Sequence, residues 1–140
     1  MVILLVEDNP GDIRLTREAI HEGNIVCDLH VAVDGEEALA FSRKEAKFAN
    51  VPTPDLVLLD LNLPKINGWE VLSEMKTDQN IKKIPVVVLT TSKAEEDILA
   101  MYSLHANCFI TKPVDFDQFF TIVQSIKDFW FNIVKLPEAM

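Results

Sequence analysis

Short apolar runs recur along the chain, and each is followed by a stretch with helical periodicity. Val2 to Val6, Leu56 to Leu59 and Val86 to Leu89 are continuous, rich in branched residues and too short for a helix. Runs of that kind predict strands buried on both faces, as in a parallel sheet. Cys108-Phe109-Ile110 is a shorter version, and Leu29 to Val33 alternates more, which suits a strand nearer an edge. Helices are predicted between them. One covers Asp12 to Glu22 and stops at Gly23. A second opens on the capping box Asp34-Gly35-Glu36-Glu37 and runs toward Phe48. A third covers Gly68 to Lys76, with Val71, Leu72 and Met75 on one face. A fourth opens on Ser92-Lys93-Ala94-Glu95, and a fifth is capped by Asp115 with Gln118. Ala49 to Pro54, with two prolines, is expected to be a loop. Strand then helix, repeated five times, predicts an open α/β sheet with helices on both faces and right-handed crossovers.

Composition narrows the setting. The chain has 140 residues, which fits one domain and a single core. It carries 13 basic and 22 acidic residues, a formal charge of -9. Such a surface repels nucleic acid and anionic lipid, so direct DNA binding is not expected. The opening apolar run is too short to span a membrane and lacks a signal-peptide pattern, so a cytoplasmic location is expected. Cys27 and Cys108 sit in apolar runs and read as buried, reduced thiols. His21, His30 and His105 have no metal-ligand spacing.

The polar residues that could do chemistry fall directly after strands. Glu7 and Asp8 follow the first, Asp60 ends the third, Thr90 and Thr91 the fourth, and Lys112 and Pro113 follow the fifth. A parallel sheet opens all these ends on one edge, where ligands bind. Taken singly, Glu7-Asp8 is most often a solvated loop, Thr90-Thr91 a strand end or helix lead-in and Lys112-Pro113 a turn. Asp60 is different, because a carboxylate ending a fully apolar strand is expensive to bury without partners. Three converging carboxylates repel one another, and a divalent cation relieves this. Oxygen ligands without His or Cys suit Mg²⁺. A carboxylate, a metal and an ammonium together make a phosphoryl-transfer site in which the carboxylate can be the nucleophile.

With these motifs the sequence resembles the response-regulator receiver family of two-component signalling. The likeness rests on Val6-Glu7-Asp8-Asn9-Pro10, Asp60-Leu61-Asn62-Leu63-Pro64 with Gly68 beyond, Leu89-Thr90-Thr91 and Ile110-Thr111-Lys112-Pro113, and covers nearly the whole chain. It implies a flavodoxin-like, doubly wound sheet in the order 2-1-3-4-5. It also implies Asp60 as phosphoacceptor, Glu7 and Asp8 as the acidic pair for Mg²⁺, and a metal contact from the backbone carbonyl of Asn62. Thr90 would bond the phosphoryl group and Lys112 would pair with it. Pro113 would follow a cis peptide bond, and Phe109 would be the aromatic switch that moves with Thr90. The partner implied is a sensor histidine kinase. Within the family the sequence is similar to the small stand-alone regulators of cyanobacterial and bacterial phytochrome kinases.

Thr91 departs from the small residue common after the switch threonine, and it is expected to narrow access to Asp60. The loop from Lys44 to Pro54 looks longer than in minimal family members. The expected layout is a receiver domain over 1–128 and an aromatic extension over 129–140, with no output domain. Phe116, Phe119, Phe120, Val123 and Ile126 suit a helix packed on the sheet. Phe129, Trp130 and Phe131 fit it less well and are expected to form an interface, with homodimerisation through the last helix and tail. A phosphate-shuttle role in a phosphorelay is an alternative within the same chemistry. An aspartyl-phosphate-forming phosphatase is another, although Asn62 stands where such enzymes commonly carry a second aspartate. A nucleotide-binding loop fails because the first loop is acidic and glycine-poor. A calcium loop fails because Lys65 and Val71 occupy its glycine and glutamate positions.

Overall fold

The computed structural model describes residues 1–23, 26–90, 100, 104, 108–111, 117, 121 and 124, and for Thr90 and 108–111 the backbone. Its element order is β1 (Val2–Val6), α1 (Pro10–Glu22), β2 (Asp28–Ala32), α2 (Gly35–Arg43), a 3₁₀ turn (Ala46–Phe48), β3 (Leu56–Asp60), α3 (Gly68–Thr77), β4 (Val86–Thr90) and β5 (Cys108–Thr111). The helices predicted from Ser92 and Asp115 lie outside the described residues, apart from single positions within them. The strands form one parallel sheet in the order β2-β1-β3-β4-β5. This is the doubly wound arrangement that the repeated strand-helix pattern and the family likeness predict.

Strand alternation divides the core in two. Leu4, Val6, Val57, Leu59, Val86 and Val88 join Ala38, Leu39 and Phe41 of α2 and Val71, Leu72 and Met75 of α3 on one face. Ile3, Leu5, Leu56, Leu58, Val87 and Leu89 join Ala19 and Ile20 of α1 on the other. All five residues of β3 are buried, so its terminal carboxylate is held at an enclosed strand end. β2 is an edge strand in which only Ala32 is fully buried, as its weaker apolar pattern predicts.

Helix boundaries follow local capping chemistry. α1 starts two residues earlier than its apolar pattern, because the Asn9 side chain accepts from Asp12 N–H and Pro10 occupies the first turn. Asp34 caps α2 by accepting from Glu37 N–H at 2.8 Å, as the capping box predicts. The expectation that α2 runs toward Phe48 is corrected: the helix ends at Arg43. Lys44 turns into the left-handed region at φ 57°, and Glu45 N–H reaches back to Ala40 O at 2.8 Å. That is a Schellman-type stop made without glycine. Phe48 still reaches the core, because the 3₁₀ turn stacks it 5.4 Å from Phe41, which in turn lies 5.2 Å from His30. Cys27 is a free thiol but only partly buried, so full burial is also corrected; burial pushes its pKa up. No helix among the described residues is long and apolar enough to cross a membrane.

Candidate functional site

Sheet register builds the site. Val6 pairs with Leu59 across β1 and β3, so Glu7 and Asp60, one step further along, come side by side. Asp60 pairs in turn with Leu89 of β4, and Thr90 with Thr111 of β5. The carboxyl ends of β1, β3, β4 and β5 therefore form one continuous rim. Glu7 N–H donates to Ala32 O at 2.9 Å, which extends the sheet one residue past β1 and turns the chain toward Asn9.

Glu7 and Asp60 are buried, at 1% and 5% exposure, while Asp8 is open to solvent. One carboxylate oxygen from each of Glu7, Asp8 and Asp60 lies within 4.8 Å of the others. Three hard anionic oxygens at this spacing, with no nitrogen or sulfur donor in the group, fit a divalent cation of the oxygen-liganded kind. The exposed Asp8 leaves the cluster open on one side, which suits a metal that keeps several waters. The Asn62 N–H donates to Asp60 Oδ1 at 3.1 Å and fixes one oxygen of that carboxylate. The three acidic residues singled out in the sequence are thus brought together, and Asn62 stands beside them in the loop after β3.

Two glycines let that loop reach its position. A Cβ on Gly68 would sit 2.4 Å from Leu61 Cα and 2.5 Å from Asp60 O, so only glycine admits the first residue of α3 this close to the end of β3. Gly68 N–H donates to Leu61 O at 3.0 Å across the same gap. A Cβ on Gly35 would meet Ile66 O at 2.2 Å, so the loop is seated against the start of α2 as well. Lys65, midway along the loop at φ 65°, lies 3.6 Å from Asp34 and 3.4 Å from Glu36. Sequence reasoning missed Gly35 and Lys65 as parts of the site's frame. Their contacts join segments about thirty residues apart, and no local pattern encodes them.

Of the other predicted site residues, Thr90 and Phe109 are described as backbone in β4 and β5, and their side chains lie outside the described set. Lys112, Pro113, Phe129, Trp130 and Phe131 lie outside the described residues, as does Thr91.

Comparison with known proteins bears on this geometry. The response regulator receiver domain profile matches residues 3–124. Response regulator Rcp1 of Synechocystis sp. is 48% identical over 138 residues, covering 99% of this chain and 94% of Rcp1. The crystal structure of an Mn²⁺-bound form of Rcp1 superposes with a TM-score of 0.80 and covers 97% of this chain and 98% of that one. The phosphorylated cyanobacterial phytochrome response regulator RcpA is 50% identical, with a TM-score of 0.80 and 97% coverage of each chain. A profile spanning the strand-end carboxylates, and relatives sharing half the residues over nearly the full length, agree with the acidic rim built by the sheet. The chain belongs to the response regulator receiver domain family, whose members signal through phosphorylation of an aspartate, and within it resembles the phytochrome response regulators.

Proposed function

We propose that Asp60 is the phosphoacceptor and that phosphorylation there switches the surface by which this protein signals. The observation that carries the reading is the convergence of Glu7, Asp8 and Asp60 on one sheet edge, with Asp60 held at the buried end of β3. An Asp60 carboxylate oxygen attacks the phosphorus of a phosphohistidine, a P–O bond forms, and the P–N bond breaks with the imidazole leaving. The Asn62 N–H on Oδ1 holds the carboxylate, which favours the other oxygen as the attacking atom. Mg²⁺, held by Glu7, Asp8, Asp60 and the Asn62 carbonyl, would neutralise charge on the phosphoryl oxygens.

Thr90 and Lys112 are assigned to the phosphoryl group, as hydrogen-bond donor and counter-charge. Phe109 is assigned to the switch and Pro113 to a cis peptide that sets the Lys112 loop. These four assignments rest on the family motif together with the strand ends from which the residues extend. The phosphodonor is a sensor histidine kinase of phytochrome type, by analogy with RcpA. The receiver domain spans 1–128 and acts in the cytoplasm. Phe129, Trp130 and Phe131 form a homodimer contact. The protein's own catalysis is limited to accepting the group and losing it slowly to water.

Incubation with a small acyl phosphate and Mg²⁺ tests the reading. The expected product gains one phosphoryl group in an acid-stable, base-labile linkage, and Asp60→Asn does not form it. Modification surviving in Asp60→Asn would overturn the assignment. Rapid multiple turnover of the donor would indicate a phosphatase instead.

A further inference from the structure

We propose that Lys65 is a positioning residue for the Asp60 site, bracing the loop that carries Asn62 against the first turn of α2. This rests on the metal and phosphoacceptor reading above and deepens it.

Loop 61–67 is fastened at two places. At its far end Gly68 N–H bonds Leu61 O, in a gap closed to any Cβ. Just before that end, Ile66 O crowds the position a Cβ of Gly35 would take, so the loop backbone touches the α2 backbone directly. Lys65 stands beside that contact and bridges it with charge, 3.6 Å to Asp34 Oδ2 and 3.4 Å to Glu36 Oε2. Asp34 divides its work: Oδ1 caps α2 at Glu37 N–H while Oδ2 faces the lysine. Asp34 is the N-cap of α2 and Glu36 lies in its first turn, so the helix dipole favours both anions. Asp34 first, and Glu36 after it, hold the Lys65 ammonium above its ordinary pKa.

The backbone of Lys65 makes the role specific. Its φ of 65° lies in the left-handed region, which glycine adopts freely and a lysine rarely does. A glycine would satisfy the turn but could not reach α2. The side chain supplies what glycine lacks, a tether from the turn to Asp34 and Glu36. Three residues upstream is Asn62, whose N–H holds Asp60 Oδ1 and whose carbonyl is the proposed metal contact. A loop fixed to α2 presents both groups in one place, and a loop freed from α2 does not.

Sign separates this role from a bystander's. A lysine merely near an acidic cluster repels a cation, so neutralising it tightens metal binding. A bracing lysine does the opposite. Lys65 is 61% exposed on its side chain, so the effect is modest and fades with salt.

Full-length wild type, Lys65→Gln, Lys65→Arg and Glu36→Gln are compared at low and high salt by two measurements. In metal-free protein, amide exchange at Asn62 and Gly68 reports the loop directly. Calorimetric titration with Mg²⁺ reports the consequence. Lys65→Gln is expected to speed exchange at both amides and weaken Mg²⁺ binding by about 1.5- to 5-fold at low salt. Glu36→Gln gives a smaller change in the same direction, Lys65→Arg restores wild-type behaviour, and high salt removes the differences. Unchanged exchange in Lys65→Gln, or Mg²⁺ binding as tight as wild type or tighter, overturns the proposal. If wild type takes up no Mg²⁺, the metal reading fails by itself, and the exchange measurement alone decides whether the brace exists.

Discussion

Glu7 and Asp8 are adjacent in sequence and opposite in exposure, and this difference sets what each can lose. Asp8 is open to solvent, so changing it removes charge without leaving a hole. Asp8→Asn is therefore expected to keep the fold and weaken Mg²⁺ binding on the order of tenfold, as one anionic ligand becomes neutral. Calorimetric titration beside an unchanged circular dichroism spectrum checks it. Glu7 is enclosed at the end of β1, so its substitution disturbs packing as well as charge. Thr91 lies outside the described residues, and the family likeness alone sets the expectation that a branched residue there narrows the approach to Asp60. Thr91→Ala is expected to shorten the lifetime of the phosphorylated form, read as decay of the acyl phosphate after donor removal. An unchanged decay would show that Thr91 does not govern access to Asp60.

Elements hold the site because their ends are pinned. α3 begins at Gly68, and a methyl group there meets the backbone atoms Leu61 Cα and Asp60 O, which cannot swing aside as side chains can. Gly68→Ala should destabilise the fold by about 1–3 kcal/mol and slow phosphorylation, seen in urea unfolding and in the acyl phosphate reaction. At the opposite end of α3, Asp78 accepts from Asn80 N–H at 2.8 Å and pairs with Arg43 of α2 at 3.0 Å. The Asn80 N–H first, and Arg43 next, hold the Asp78 carboxyl below its ordinary pKa. A depressed carboxylate stabilises the fold above its unfolded pKa, and the contribution is lost as pH falls through the lower folded value. Unfolding curves of wild type and Asp78→Asn should differ at neutral pH and draw together toward acid. The sequence showed these elements unevenly. β1, β3 and β4 were legible because burial on both faces leaves an uninterrupted apolar run. α2 was overrun because its stop is Lys44 at positive φ, where a glycine or asparagine would have been the visible sign. Glu7, Asp8 and Asp60 were legible as a site because they all follow strands. Gly68 was visible in the motif after Asp60, but the parts played by Gly35 and Lys65 were not, because they consist of contacts between the loop after β3 and the start of α2.

Across the whole molecule, acidity and function pull against each other. The chain carries a formal charge of -9, and the sheet concentrates three of its carboxylates within 4.8 Å at one edge. Two unit charges at that separation repel by about 1 kcal/mol even in a water-like dielectric, and by more when partly enclosed. Functional sites commonly hold such unfavourable arrangements, offset by stability elsewhere. Here the two-faced core of β1, β3 and β4 is the offset, and a bound divalent cation relieves the repulsion directly. A ligand that binds only the folded state stabilises it by RT ln(1 + [L]/Kd), about 2.7 kcal/mol at a hundredfold excess over Kd. Three melting curves should then separate. Wild type in chelator melts lowest, and saturating Mg²⁺ raises it by several degrees, with Ca²⁺ or Mn²⁺ as comparison ions. Asp8→Asn melts above wild type in chelator, because one of the repelling charges is gone, and gains less from Mg²⁺. That crossing pattern distinguishes a site built for a cation from acidic residues that are merely close. If Asp8→Asn melted with or below wild type in chelator, the three carboxylates would not be stored repulsion, and a metal there would serve phosphoryl transfer alone.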